Sequence, residues 1–356
     1  MEKIIDPVAV ELIEAELTPA RKLMDTNKGG NELYVVDCHN APNTLREIGR
    51  LRETAYREAG GCSGNALDLD EYDTMDKPYS QLIVWDPDAH AIIGGYRFIL
   101  GKDVSFREDG QPNVTASHLY RFSPKFIRDY LPKSMELGRS FVAPEYQSSK
   151  AGAKALFTMD NLWDGIAGVL LSHPGTEYFF GKMTIYRSYD HAARELILHF
   201  LQKHFPDRDE LVRPYKPISP ASDPRLMDLI LCEDGLKQDL RCLKDALRKL
   251  GTGIPPLVNS YINTSSSMKI FGSAINDELS DAIETGLMIG FNDIYDEKKE
   301  RHIQTFLEKR APRLRRIRMS FRRKSSRKTP RKSNSNKDVD AADAGYPSAL
   351  QVLGVK

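Results

Sequence analysis

A two-stranded ribbon in the first third of the chain sets the strongest limit on its fold. Residues 81–85 (Gln-Leu-Ile-Val-Trp) and 91–98 (Ala-Ile-Ile-Gly-Gly-Tyr-Arg-Phe) are rich in β-branched and aromatic side chains, and Asp86, Pro87 and Asp88 supply a turn between them. So short a connection joins antiparallel strands only, because a parallel pair needs a crossover of a dozen or more residues. Around the ribbon the pattern predicts helices over residues 7–24, 44–59, 150–171, 188–205, 236–250 and 297–308. Asn43 is the expected cap of the second, and Gly60-Gly61 ends it. Further strands are predicted over residues 33–37, 134–142, 178–185, 268–271 and 285–291, with an acidic, turn-rich stretch at 62–79. Pro214, Pro217, Pro220 and Pro224 mark a connector. This order lacks regular βαβ alternation and predicts an α/β chain of the α+β kind, a mixed central sheet flanked by helices. Residues 1–308 are expected to form one unit, with its core at about 33–210 and completing strands at about 253–295.

Several chemistries are excluded. No Gly-x-Gly-x-x-Gly follows a strand, and there is neither a Walker A loop nor a Gly-x-Ser-x-Gly elbow. Cys38, Cys62, Cys232 and Cys242 are scattered without a Cys-x-x-Cys pair, which argues against a disulfide framework and a zinc site and fits a reducing compartment. His199 and His204 are five apart, a spacing that does not place two imidazoles on one helix face, so no metal is expected. No apolar run approaches the ~20 residues of a membrane span, and Asp6, Glu11, Glu14 and Glu16 break any leader-like layout at the N-terminus. A cytoplasmic protein is predicted.

Charge is unevenly spread. Residues 309–337 hold 14 Lys/Arg and no Asp or Glu, whereas residues 1–308 carry an acidic excess. The basic tail is expected to be disordered from about residue 330. Its first-choice partner is an anionic membrane at the inner face, reached through residues 309–332. Docking of an acidic carrier protein is the alternative, and sequence-independent nucleic-acid binding is the least favoured.

The candidate chemistry lies in four pieces of the first half: Arg52-x-x-x-Tyr56, Asp70-x-x-Asp73, Gly94-Gly-Tyr-Arg97 and Glu136-x-x-Arg139. Each alone is an ordinary surface or strand charge. In this order they resemble the acyl-homoserine lactone synthases and the bacterial ornithine-lipid and glycine-lipid N-acyltransferases, the haemolysin-like group with a GNAT-like fold. Residues 136–147 (Glu-Leu-Gly-Arg-Ser-Phe-Val-Ala-Pro-Glu-Tyr-Gln) and 161–165 (Asn-Leu-Trp-Asp-Gly) look most like the lipid enzymes. The resemblance spans about residues 40–210, is weaker over 253–295, and is absent from the tail. Tyr56 stands where the synthases usually carry Phe.

That resemblance implies transfer of a fatty acyl group, 3-hydroxylated in the leading reading, from acyl carrier protein to an amino acid. Glycine is preferred and ornithine second, with no tightly bound cofactor and the acyl-phosphopantetheine carrier as co-substrate. Aminolysis of a thioester needs a neutral amine and therefore a base or water relay. It also needs donors for the oxyanion, which a splayed or bulged strand supplies. Glu136 is the expected base or base-orienting residue. Arg139 and Arg97 hold the acceptor carboxylate or order the carboxylates, Asp70 and Asp73 hold the ammonium or Arg97, and Arg52 and Tyr56 close the site. Gln147, Lys150 and Gly152 occupy the place of the phosphate cradle that coenzyme A-dependent GNAT enzymes build at a helix N-terminus. Lys150 replaces the first glycine there, which favours the single phosphate of a carrier arm. Phe157, Leu162, Ile166, Val169 and Leu170 read as core or as an acyl tunnel. His204 and Asp209 show the His-x4-Asp spacing of glycerolipid O-acyltransferases, but Pro206 makes a turn the simpler reading. Two other functions stay open: a signal synthase acting on S-adenosylmethionine, and a silent GNAT-like module that binds membrane or nucleic acid through the tail.

Overall fold

The computed structural model describes residues 1–147, 152–232 and 235–304. In chain order the strands are β1 (Lys22–Asp25), β2 (Glu32–Val36), β3 (Ser80–Asp86), β4 (Ala91–Leu100), β5 (Tyr120–Phe122), β6 (Ser134–Val142), β7 (Tyr178–Ile185), β8 (Val212–Pro214), β9 (Lys269–Asn276) and β10 (Ala282–Gly290). Eight of them form one sheet in the order β1-β2-β3-β4-β6-β7-β10-β9, and β5 pairs with β8 in a second. The β3–β4 ribbon is antiparallel, as its short turn requires, and stands near the middle of the large sheet. Every pairing in that sheet is antiparallel except β6 with β7. That parallel step is spanned by the 21-residue helix α4 (Gly152–Ser172). The helices before it are α1 (Val10–Glu16), α2 (Pro42–Ala59) and the single turn α3 (Glu71–Thr74). After it come α5 (His191–His204), α6 (Pro224–Ile230), α7 (Leu236–Lys249), α8 (Pro256–Ile262) and α9 (Asp296–Lys299).

Strand alternation splits the sheet into two faces. Leu82 and Val84 point into a core with Leu162, Ile166, Val169 and Leu170 of α4 and with residues of α5, α7 and α8. Ile83 and Trp85 point the other way, onto Ile48, Leu51 and Ala55 of α2. That second face also carries an aromatic cluster of Tyr120, Phe122, Phe126, Phe180 and Phe271. The 161–165 stretch explains how α4 is seated. Asn161 Nδ2 donates to the carbonyl of Lys28 (2.9 Å), and Asn161 Oδ1 accepts from Asn31 Nδ2 (2.9 Å). Asp164 accepts from the amide and side chain of Asn27 and meets His302 Nδ1 at 2.7 Å. Gly165 lies so close to the sheet that a Cβ there would stand 2.7 Å from Leu82.

Local expectations were revised by tertiary partners. The predicted helix over 7–24 stops at Glu16, and residues 22–25 become the edge strand β1. Asn43 is not the cap of α2; the Glu16 carboxylate takes the amides of Asn43 (3.0 Å) and Thr44 (2.7 Å) instead. A remote carboxylate thus satisfies the open donors at the helix start. Burial opposes the ionisation of Glu16, and these hydrogen bonds outweigh it, so its pKa lies below the usual value. The last two strands extend to an eight- and a nine-residue hairpin pair. Of the helix predicted over 297–308, the described part is one turn of α9 followed by a wide turn at Glu300–Gln304, and residues 305–308 lie outside the described residues. All four cysteines are free thiols. No described helix is long and apolar enough to cross a membrane. The basic tail at 309–356 and Lys150 lie outside the described residues.

Candidate active site

The parallel ladder of β6 and β7 runs only from Ser134–Tyr178 to Leu137–Gly181. Beyond that point β6 stays with β4 and β7 stays with β10, so the two strands part. Gly181 sits at the fork, where a Cβ would lie 2.3 Å from the Leu137 carbonyl oxygen. Just past the fork, β6 bulges. Arg97 opposes Gly138 and Gly95 opposes Phe141, which leaves Arg139 and Ser140 against Tyr96 alone. Arg139 takes a φ of +47°, the left-handed region that costs a non-glycine residue of order 1 kcal/mol or more. Such a bulge re-aims side chains and frees backbone groups from the ladder.

The fork opens into a cavity of about 660 Å³. Its polar lining includes Asp70, Arg97, Thr115, His118, Lys182 and Glu284, and its apolar lining includes Tyr96, Val142, Met159, Leu257 and Tyr261. The polar group forms the floor of the cavity, and the apolar group, to which α4 and α8 contribute, forms its arm. Leu162, Ile166, Val169 and Leu170 belong to the core, and it is the neighbouring Thr158 and Met159 of α4 that reach the cavity.

The four sequence pieces converge. Asp73, fully buried, receives Arg52 Nη1 at 3.2 Å, Arg97 Nη1 at 3.1 Å, Gln81 Nε2 at 3.0 Å and the Asp70 amide at 3.2 Å. Asp70 caps α3 through the Tyr72 amide (3.0 Å) and pairs with Arg97 Nη1 at 2.6 Å and Arg139 Nη2 at 3.4 Å. Arg139 also lies 3.4 Å from Asp68. Burial works against the Asp73 charge, and Arg52 and Arg97 overcome it, holding its pKa well below the carboxylate range. Asp70 is lowered against the same burial by Arg97. Asp68 is shifted up, because burial dominates over Arg139. Arg52 is interior and does not reach the cavity, whereas Tyr56 does, donating to the Ser140 carbonyl at 3.1 Å. Arg97 stands against both the Tyr72 and the Tyr79 rings, which meet edge to face, and among the described residues its donating nitrogen is Nη1. Its buried Nε has no partner among the described residues.

Glu136 is set apart from this cluster and does not line the cavity. Its carboxylate accepts from the amides of Thr115 (3.1 Å) and Ala116 (2.8 Å), the Thr115 hydroxyl (2.9 Å) and the Tyr79 hydroxyl. Glu136→Gln measures what these bonds contribute to the fold. With four donors facing one carboxylate, a glutamine brings an NH2 against at least one of them. The substitution is expected to cost about 1–3 kcal/mol, read as a lower urea midpoint at unchanged slope.

Sequence reasoning missed the second half of the floor. Lys182 of β7 pairs with Glu284 of β10 at 2.6 Å, and Glu284 also accepts from Asn276 Nδ2 (3.1 Å) and the Thr184 hydroxyl (3.3 Å). Burial opposes the Glu284 charge and Lys182 outweighs it, leaving the pKa below normal. The available signal was a lysine and a glutamate inside otherwise apolar strands, positions where charges are kept only when paired. Gln147 lines the mouth and donates to the Val142 carbonyl at 2.7 Å, and Gly152 opens α4. The His-x4-Asp spacing has no structural counterpart. His204 bonds Asp239 at 2.9 Å, while Asp209 pairs with Lys125 and Lys269. Among the described residues no cluster fit for a metal ion occurs.

Residues 51–156 match the acetyltransferase (GNAT) domain family. The chain is 52% identical over 308 residues to a glycine N(alpha)-acyltransferase of Bacteroides thetaiotaomicron, covering 86% of this chain and 91% of that protein. It is 48% identical over 308 residues to one of Phocaeicola vulgatus, covering 86% and 94%. A solved coenzyme A-dependent acyl-homoserine lactone synthase, BjaI, is a distant structural neighbour at 10% identity and a TM-score of 0.33, over 79% of this chain and 89% of that one. The chain therefore belongs to the glycine N(alpha)-acyltransferase family with its GNAT domain, and it is an acyltransferase.

Proposed function

We propose that this protein transfers a fatty acyl group from a phosphopantetheine thioester to the amine of glycine. The observation that carries the reading is the fork between β6 and β7, where a charged floor meets an apolar arm inside one cavity. A thioester at the fork has its chain in the arm and its carbonyl beside the bulge, whose backbone N–H groups are proposed to stabilise the oxyanion. The acceptor is a zwitterion. The free edge of Arg97, with Lys182 and Arg139 beside it, suits the carboxylate, and Glu284 and Asp70 suit the ammonium. Asp73 and Arg52 act from the interior by holding Arg97 in place. Acyl carrier protein is the proposed donor, with its phosphate near Gln147, Lys150 and Gly152. The product is an N-acylglycine, and residues 309–332 are proposed to keep the enzyme at an anionic membrane surface.

The test is free-thiol release from a 3-hydroxyacyl carrier protein with each amino acid added in turn. Glycine-dependent release with an N-acylglycine of matching mass is the expected result. No release from folded protein with any amino acid would overturn the reading. Within it, Arg139→Lys is expected to raise the glycine concentration for half-maximal rate about tenfold, the loss of one charge-assisted bond. An unchanged requirement would remove Arg139 from carboxylate binding.

A further inference from the structure

The reaction needs a base, and Glu136 is turned away from the cavity with every oxygen engaged. What Glu136 holds is the short turn Thr115–His118, by two amides and a hydroxyl at its start. A second contact fixes the same turn from the floor, where Lys182 Nζ donates to the Thr115 carbonyl at 3.4 Å. The last residue of the turn is His118, which lines the cavity with its side chain 36% exposed. Its Nε2 lies 3.3 Å from Asp277 and its Nδ1 3.7 Å from Glu278, and Glu278 also lines the cavity.

We propose that His118 is the base that takes the proton from the acceptor ammonium, and that Glu136 is the positioning residue that presents it. The inference rests on the amine-acylation reading above. With Nε2–H donated to Asp277, Nδ1 is left to accept a proton, and the Glu278 carboxylate draws the ammonium towards it. One proton passes from the ammonium to Nδ1. The neutral amine then forms the C–N bond at the thioester carbonyl carbon, the C–S bond breaks, and the second nitrogen proton leaves on the thiolate. Partial exposure lets His118 return its proton to water. The E-x-x-R glutamate thereby has a role at a distance, which its full set of partners would otherwise deny it.

The experiment uses the full chain with glycine and a 3-hydroxyacyl carrier protein. His118→Asn and His118→Gln are each expected to lower kcat about 10²-fold at an unchanged glycine requirement, with part of the rate restored by added imidazole. In the His118→Asn background, Glu136→Gln is expected to lower kcat no further, because it acts through the missing ring. Full activity of a folded His118 variant overturns the inference while leaving the acylation reading intact. Additive losses in the double variant overturn the role of Glu136. A wild type that forms no N-acylglycine overturns the acylation reading itself, and the inference with it.

Discussion

Asp73→Asn is expected to destabilise the protein by about 3–5 kcal/mol, the usual cost of removing one partner from a buried ion pair. Asp73 is wholly buried and stands between two arginines that are 1% and 3% exposed. Asparagine keeps the shape and loses the charge. Arg52 is then left with amide oxygens, that of Gln81 and that of the new asparagine, and no hydrogen-bonded carboxylate, and Arg97 keeps Asp70 as its hydrogen-bonded carboxylate. A guanidinium does not deprotonate at any ordinary pH, so the stranded charges have no chemical escape. Urea unfolding at neutral pH checks this as a drop in midpoint with the slope preserved. The pH dependence follows from the direction of the shift. The pKa of Asp73 is lower in the folded state than the ~3.9 of an unfolded chain. Its contribution is therefore complete above that value and lost as pH falls towards the folded-state pKa. Wild type and variant should differ most above about pH 5 and converge in acid. Equal midpoints at pH 7 would show that other groups neutralise the arginines, and would sink the account of the cluster.

The cluster itself was readable because charged residues in apolar strands and helix faces have to find one another. Arg97 is the one charged residue in a strand otherwise made of Ala, Ile, Leu, Gly, Tyr and Phe, and Asp70 and Asp73 are three residues apart on one turn. The ribbon was readable from its turn. What could not be read was which member of the cluster faces the cavity, since that depends on partners far away in the chain. Glu136 reads as a base or as a base-orienting residue, and the sequence does not show that Thr115 and Ala116, some twenty residues earlier, hydrogen-bond its carboxylate. Asn43 looks like a cap until Glu16 arrives from 27 residues back. The half-helix lost between residues 17 and 24 has the same origin. Pairing with β2 satisfies the backbone of 22–25 better than another turn of helix does. His118 carried no local signal at all, because its worth comes from a carboxylate on β6 and a cavity shaped by β7 and β10.

Gly181→Ala should test the fork most directly. The residue ends the β6–β7 ladder, and a Cβ there would meet the Leu137 carbonyl at 2.3 Å. The neighbour in this clash is backbone, which has no rotamer to give way. Either the last ladder pair opens or β7 shifts outward with β10, its antiparallel partner. Overpacking of this kind typically costs about 1–3 kcal/mol. The effect on catalysis should be larger than the effect on stability, because Lys182 is the next residue and Leu137 precedes the bulge that carries Arg139. A displacement of about 1 Å at such a position can cost about 10²-fold in rate. Measured together, thiol release should fall by about that factor while the protein still unfolds cooperatively at a modestly lower midpoint. A variant that keeps full turnover would mean that the fork does not hold the reacting thioester, and the apolar arm would then need another entrance.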